Sequence, residues 1–243
     1  MKDKISIDVK SLVRDTIKKT LTDVEPIHHL QLKNKSTLIE SYIAEPKKFK
    51  QLSDSVSQKT KDAHYDLYTG YIESLNKVSA ELDSADRNDV NPRHSRYRSL
   101  KVDETYNLNA AYLHELYFAN CFDPNSEIYM DSMPYIRLQR DFGTFEDWQH
   151  DFMACALSAN EGWAVCGYNV FLKKFINTFV DSHNGNVMLG FIPLVVVDMW
   201  SHSFYKDYLS DKKSYLLAQM KELNWKVIEE RFLKIEKLVE SMR

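Results

Sequence analysis

Residues 192–208 read IPLVVVDMWSHSFYKDY, and the meaning of this stretch governs the rest of the chain. The run LVVV is apolar and β-branched, the pattern of a buried strand. Asp198 follows directly, so its carboxylate sits at the end of that strand with little access to water. A carboxylate there needs a partner or a metal. His202 comes four residues later, and the two side chains converge if the segment is helical or tightly turned. Asp-x-x-x-His arises often by chance. Taken alone, the pair reads first as a surface ion pair.

Working outward, WAVCGYNVFLKKFINTFVD at 163–181 is β-rich with a turn near Asn169, and HNGN at 183–186 makes a second turn. VMLGFIPLVVVDMW at 187–200 is the third strand. Residues 144–160 are expected as a helix, with Thr144 as N-cap and acids in its first turn. Residues 206–222 and 225–242 are expected as two closing helices. The first half reads as helix from Thr60 to Leu82, with Tyr65, Tyr68, Tyr71, Ile72 and Leu75 on one face. A charged loop follows over 83–103, broken at Pro92, and helix resumes over 105–121. Residues 5–22 have a helix-like apolar period, and a short helix is expected at 36–44. The chain therefore divides into an N-terminal extension over 1–55, a helical hairpin over 56–125 and a C-terminal α/β unit over 126–243. The fold class is α+β, with a three-stranded antiparallel sheet.

Composition removes several function classes. With net charge −3 and 28 % charged residues, no global positive field draws the chain to nucleic acid or anionic lipid. The one basic stretch, NPRHSRYRSLK at 91–101, is flanked by acids and reads as a solvated loop. No apolar run reaches the roughly 20 residues that span a bilayer. Three unpaired cysteines, Cys121, Cys155 and Cys166, lie among apolar neighbours and read as small core residues. A reducing, cytoplasmic setting fits them.

Two further histidines fall on aromatic-rich helices, His64 in AHYDLYTGY and His114 in YLHELYF. A lone histidine on such a face is usually a satisfied core or surface residue. Two of them, joined to a buried Asp/His pair, make a set of three imidazoles and one carboxylate. That mix suits iron or manganese better than structural zinc, which usually recruits thiolates. His28 and His29 are adjacent, so they diverge on a helix and make a poor metal pair.

Here a resemblance to the iron/manganese superoxide dismutase family becomes specific. DFGTFEDWQHDFMACA at 141–156 resembles the segment that opens that family's C-terminal domain, and EGWAVCGYN at 161–169 resembles its next strand. IPLVVVDMWSHSFYKDY resembles its metal-binding signature, with Asp198 and His202 at the ligand positions. SYLLAQMKELNWKVIEERF at 214–232 resembles its final helix pair. VSQKTKDAHY and YLHELYFAN match, more loosely, the two stretches that bear the other ligands, His64 and His114. The resemblance spans roughly 56 to 232.

It implies one iron or manganese ion per chain, with superoxide dismuted to dioxygen and hydrogen peroxide by alternate reduction and oxidation of the metal. Tyr71 matches a gateway tyrosine, His183 a residue that bonds metal-bound solvent, and Trp163 and Trp200 aromatics that line the pocket. His64 and Tyr71 stand seven apart, one fewer than is usual in the family. About 700° of helical rotation still points both the same way. Ser201, Phe204 and Val165 replace a usual Glu, Tyr and Trp, and the first two changes remove a dimer bridge. The expected partners are therefore superoxide and either a second copy or a larger assembly reached through residues 1–55. Structural use of the fold, as in mitochondrial ribosomal subunits or in the similar phage-encoded proteins, is the alternative.

Overall fold

In the computed structural model residues 42–241 are described; the expected helix at 5–22 and His28 and His29 lie outside them. Helix α1, Gln58–Ser84, starts where the Ser57 side chain accepts from the Thr60 N–H. His64, Tyr68, Ile72, Leu75, Ser79 and Leu82 are its buried stripe, spaced three or four apart as one helix face requires. Helix α2, Arg96–Asn120, packs beside it and buries Ala110, Leu113, His114 and Tyr117. The expected loop over 83–103 is too long. Ser95 caps α2 through the Arg98 N–H, and the first turns are charged and mostly exposed, so they carry no apolar period.

Residues 42–50 have no regular structure, which corrects the end of the helix expected at 36–44. They run along α1 instead. Ala44 exchanges two hydrogen bonds with the Asn76 side chain, at 2.7 and 2.9 Å. The Lys47 N–H donates to the Tyr68 hydroxyl at 3.0 Å.

Helix α3, Met133–Phe142, escaped the sequence reading, and only Pro134 and Leu138 of it are buried. Helix α4, Phe145–Ser158, follows with the Thr144 cap as expected. Cys155 on it is partly exposed, unlike Cys121 and Cys166, and all three thiols are free. Strands β1 (Gly162–Asn169), β2 (Lys174–Asp181) and β3 (Phe191–Asp198) form an antiparallel sheet in the order β2-β1-β3. Every residue of the central β1 is buried. The third strand starts at Phe191 rather than 187.

Edge strand β3 is not left open. The Asn120 side chain mimics a strand, donating to Val196 O at 2.9 Å and accepting from Val196 N at 3.2 Å. Arg231 adds bonds to Asn120 Oδ1 and Leu194 O. The C-terminal end of α2 is thus tied to the strand that ends in Asp198.

Beyond β3 the chain forms α5 (Ser201–Tyr208), α6 (Lys212–Lys221) and α7 (Trp225–Ser241). The single helix expected at 206–222 is two. Leu209 adopts φ +51° and Asp211 caps the new start by accepting from Ser214 N at 3.0 Å. Among the described residues no helix is long and apolar enough to cross a membrane.

Candidate metal centre

The four candidate ligands come from four elements: His64 from α1, His114 from α2, Asp198 from the end of β3 and His202 from the first turn of α5. One side-chain atom of each lies within 4.8 Å of all the others. His64, His114 and Asp198 are buried; the His202 side chain keeps a quarter of its surface, 25 %.

Asp198 organises the cluster. Its Oδ1 accepts from the Trp200 N–H at 2.8 Å. Its Oδ2 faces three imidazole Nε2 atoms, at 3.0 Å from His64, 3.3 Å from His202 and 3.9 Å from His114. Burial alone would raise this carboxyl, but His202 and His64 beside it hold it far below the usual carboxylate range. Its main-chain oxygen accepts from the Tyr215 hydroxyl at 2.9 Å.

His114 carries the most telling buried polar atom of the cluster. Its Nδ1 lies 2.6 Å from Ala110 O, an acceptor only, so Nδ1 bears the proton. The lone pair is therefore on Nε2, which is buried, has no hydrogen-bond partner and is 3.9 Å from the Asp198 carboxylate. A buried imidazole oriented this way, beside an anion and two further imidazoles, fits a cation.

Around this cluster Trp163 Nε1 donates to His183 Nδ1 at 3.0 Å. Indole nitrogen only donates, so His183 is protonated on Nε2 and gives that proton to the Tyr71 hydroxyl, also at 3.0 Å. Trp200 stacks on both His183 and His202, with centroids 5.1 and 5.6 Å apart. His64 occupies the cluster and Tyr71, seven residues on, meets His183. Phe204 is buried against Tyr215. Val165 borders a cavity of about 140 Å³ that His183 also lines.

The sequence reading missed Tyr106, whose ring stands 4.7 Å from His183 and 6.2 Å from Tyr71. It precedes His114 by eight residues, about two helical turns, and that spacing could have revealed it. Asn109 was missed as well; it donates to His183 O at 3.0 Å.

Burial lowers three imidazoles. His64 and His114 are held below the ordinary range with Asp198 only partly opposing, and His183 falls to about 4. As pH drops, the unfolded chain therefore takes up protons before the folded one. Stability of the metal-free protein is expected to be full above about pH 7 and to decline from about 6.5 toward 4. The limiting slope is about 1.4 kcal/mol per pH unit for each imidazole. Denaturant titrations across that range check it, and a flat profile between pH 7 and 5 would contradict it.

The geometry converges with what comparison finds. Residues 135–231 match the family model described as iron/manganese superoxide dismutases, C-terminal domain. The iron superoxide dismutase of Aquifex pyrophilus is 32 % identical over 194 residues, covering 78 % of this chain and 90 % of the relative. That of Aquifex aeolicus gives the same identity and coverage. The manganese superoxide dismutase of Haloarcula marismortui is 30 % identical over 190 residues, 78 % of this chain and 91 % of its own. Relatives at this level, aligned over nearly their whole length, place the chain in the iron/manganese superoxide dismutase family.

Proposed function

We propose that this chain is a working superoxide dismutase, holding one iron or manganese ion between His64, His114, Asp198 and His202. The observation that carries the reading is the buried, unpartnered Nε2 lone pair of His114, aimed beside the Asp198 carboxylate. The ion, when bound, supplies one-electron exchange with superoxide.

The chain's own residues do the rest. Asp198 contributes the negative charge that three neutral imidazoles lack. Its fixed bond to Trp200 N keeps Oδ2 turned toward them. Hydrogen peroxide requires two protons for every pair of superoxide anions consumed. Tyr71 holds one at its hydroxyl, since burial and then Tyr106 raise its pKa well above the ordinary phenol value. His183 Nε2–H donates to that oxygen, so the phenolic proton is not spent on His183. Trp163 packs against His114 and Trp200 against His202, and each indole covers one side of its imidazole.

In the same reading the chain works in the cytoplasm, as an oligomer or within a larger assembly reached through residues 1–55. The test is elemental analysis of natively purified protein with a superoxide-consumption assay on the same sample. Near one iron or manganese per chain, with turnover, is expected. Absence of both would sink the proposal and leave the structural-subunit reading, in a phage virion or ribosome-like particle.

A further inference from the structure

We infer that Glu161 is a positioning residue for the metal centre, capping α5 with its carboxylate so that His202 is held in place. This rests on the metal-site reading above and goes beyond it to a residue outside the ligand set.

Helix α5 has eight residues, and the side chain of its N-cap, Trp200, makes no capping bond. So short a helix has little stability of its own, and its first N–H groups need partners. Glu161, forty positions earlier, provides one. Its Oε2 accepts from Ser201 N at 2.9 Å and from Ser201 Oγ at 3.2 Å. A carboxylate at a helix N-terminus is favourable in charge as well as in hydrogen bonding. Ser201 immediately precedes His202, the most exposed of the four ligands.

The main chain at the same point holds the other flank of the site. Glu161 O accepts from Ser182 N at 2.6 Å, one residue before His183. Gly162 O accepts from Met199 N at 2.8 Å, one residue after Asp198. One dipeptide at the start of β1 thus bonds to the immediate neighbours of His183, Asp198 and His202. At its far end α5 is tied to α1, because Asp207 Oδ2 accepts from Ser57 N at 3.0 Å and Thr60 Oγ1 at 2.7 Å. The helix is a strut between β1 and α1, and Glu161 anchors the end that bears His202.

The test uses the full chain, metal-free, titrated with Mn(II) and followed by electron paramagnetic resonance. Glu161→Ala is expected to weaken Mn(II) binding about tenfold, the lower end of the usual range for a group that orients a ligand, and to change the spectrum of the bound ion. Glu161→Gln retains the acceptor oxygen and is expected to bind Mn(II) more tightly than Glu161→Ala, close to the parent chain. Should Glu161→Ala not fold, Ser201→Pro carries the test. Proline is tolerated in the first helical turn, and Trp200 before it is already extended at φ −69°, ψ 148°. It deletes both donors that Glu161 accepts from, so it should match Glu161→Ala. The double variant should be no weaker than either single one. Unchanged affinity and spectrum in Glu161→Ala or Ser201→Pro, or a Glu161→Gln as weak as Ala, would overturn the inference alone. A parent chain that binds no Mn(II) or iron would overturn the metal-site reading and this inference together.

Discussion

Asp198→Asn is expected to leave a folded chain that retains neither iron nor manganese. Asparagine has nearly the shape of aspartate, and its Oδ1 can keep the bond to Trp200 N. What changes is the other terminal atom. Oδ2 now faces three imidazole nitrogens within 3.9 Å. An amide nitrogen there has no charge, and its hydrogens point where a cation would sit. Three neutral imidazoles would remain, two of them buried deeply enough that burial lowers their pKa. The loss of affinity should be at least about 100-fold, the upper end for groups that merely support a ligand. Metal content after native purification and Mn(II) titration both measure it. A near-stoichiometric ion in this variant would mean that the carboxylate is not a ligand.

Gly162→Ala should be the most damaging substitution among the glycines of the sheet. A Cβ at this position would lie 2.0 Å from Val180 O and 2.9 Å from Asp181 Cα, both backbone atoms of β2. Neither can swing aside as a side-chain end could. Relief requires β1 and β2 to part at the pair Gly162↔Asp181, next to Trp163, whose indole fixes His183. Forced expansion of a packed core costs about 3 kcal/mol at the upper end of its ordinary range. In a domain of this size that corresponds to roughly 6–12 °C in Tm. Gly70→Ala is the control. Nothing lies within 4 Å of a Cβ there, and an alanine inside α1 should stabilise by about 0.5–1 kcal/mol. Thermal unfolding of the two variants should shift in opposite directions. Equal, small shifts would show that the sheet end yields easily.

Much of the architecture was readable from residue pattern. The run Leu194–Val197 forced Asp198 into the interior, where the structure leaves it fully buried. Thr144 followed by acids marked the start of α4. Two of the misreadings share one physical cause, since each fell where the pattern carries no apolar period. The exposed opening turns of α2 and the break at Leu209 between α5 and α6 carry little hydrophobic alternation to detect, whereas α3 is a short amphipathic helix whose period was there to be read.

By itself the sequence determined the local half of the site. The i, i+4 spacing of Asp198 and His202, the inward faces that carry His64 and His114, and the carbonyl of Ala110 four residues before His114 are all properties of single elements. Tertiary structure alone decided the rest: that α1, α2, β3 and α5 meet at one point, that Trp163 sets the tautomer of His183, and that Glu161 reaches Ser201 forty residues away. The reason is that periodicity records which face of an element is buried. It does not record which other element, far along the chain, will cover that face.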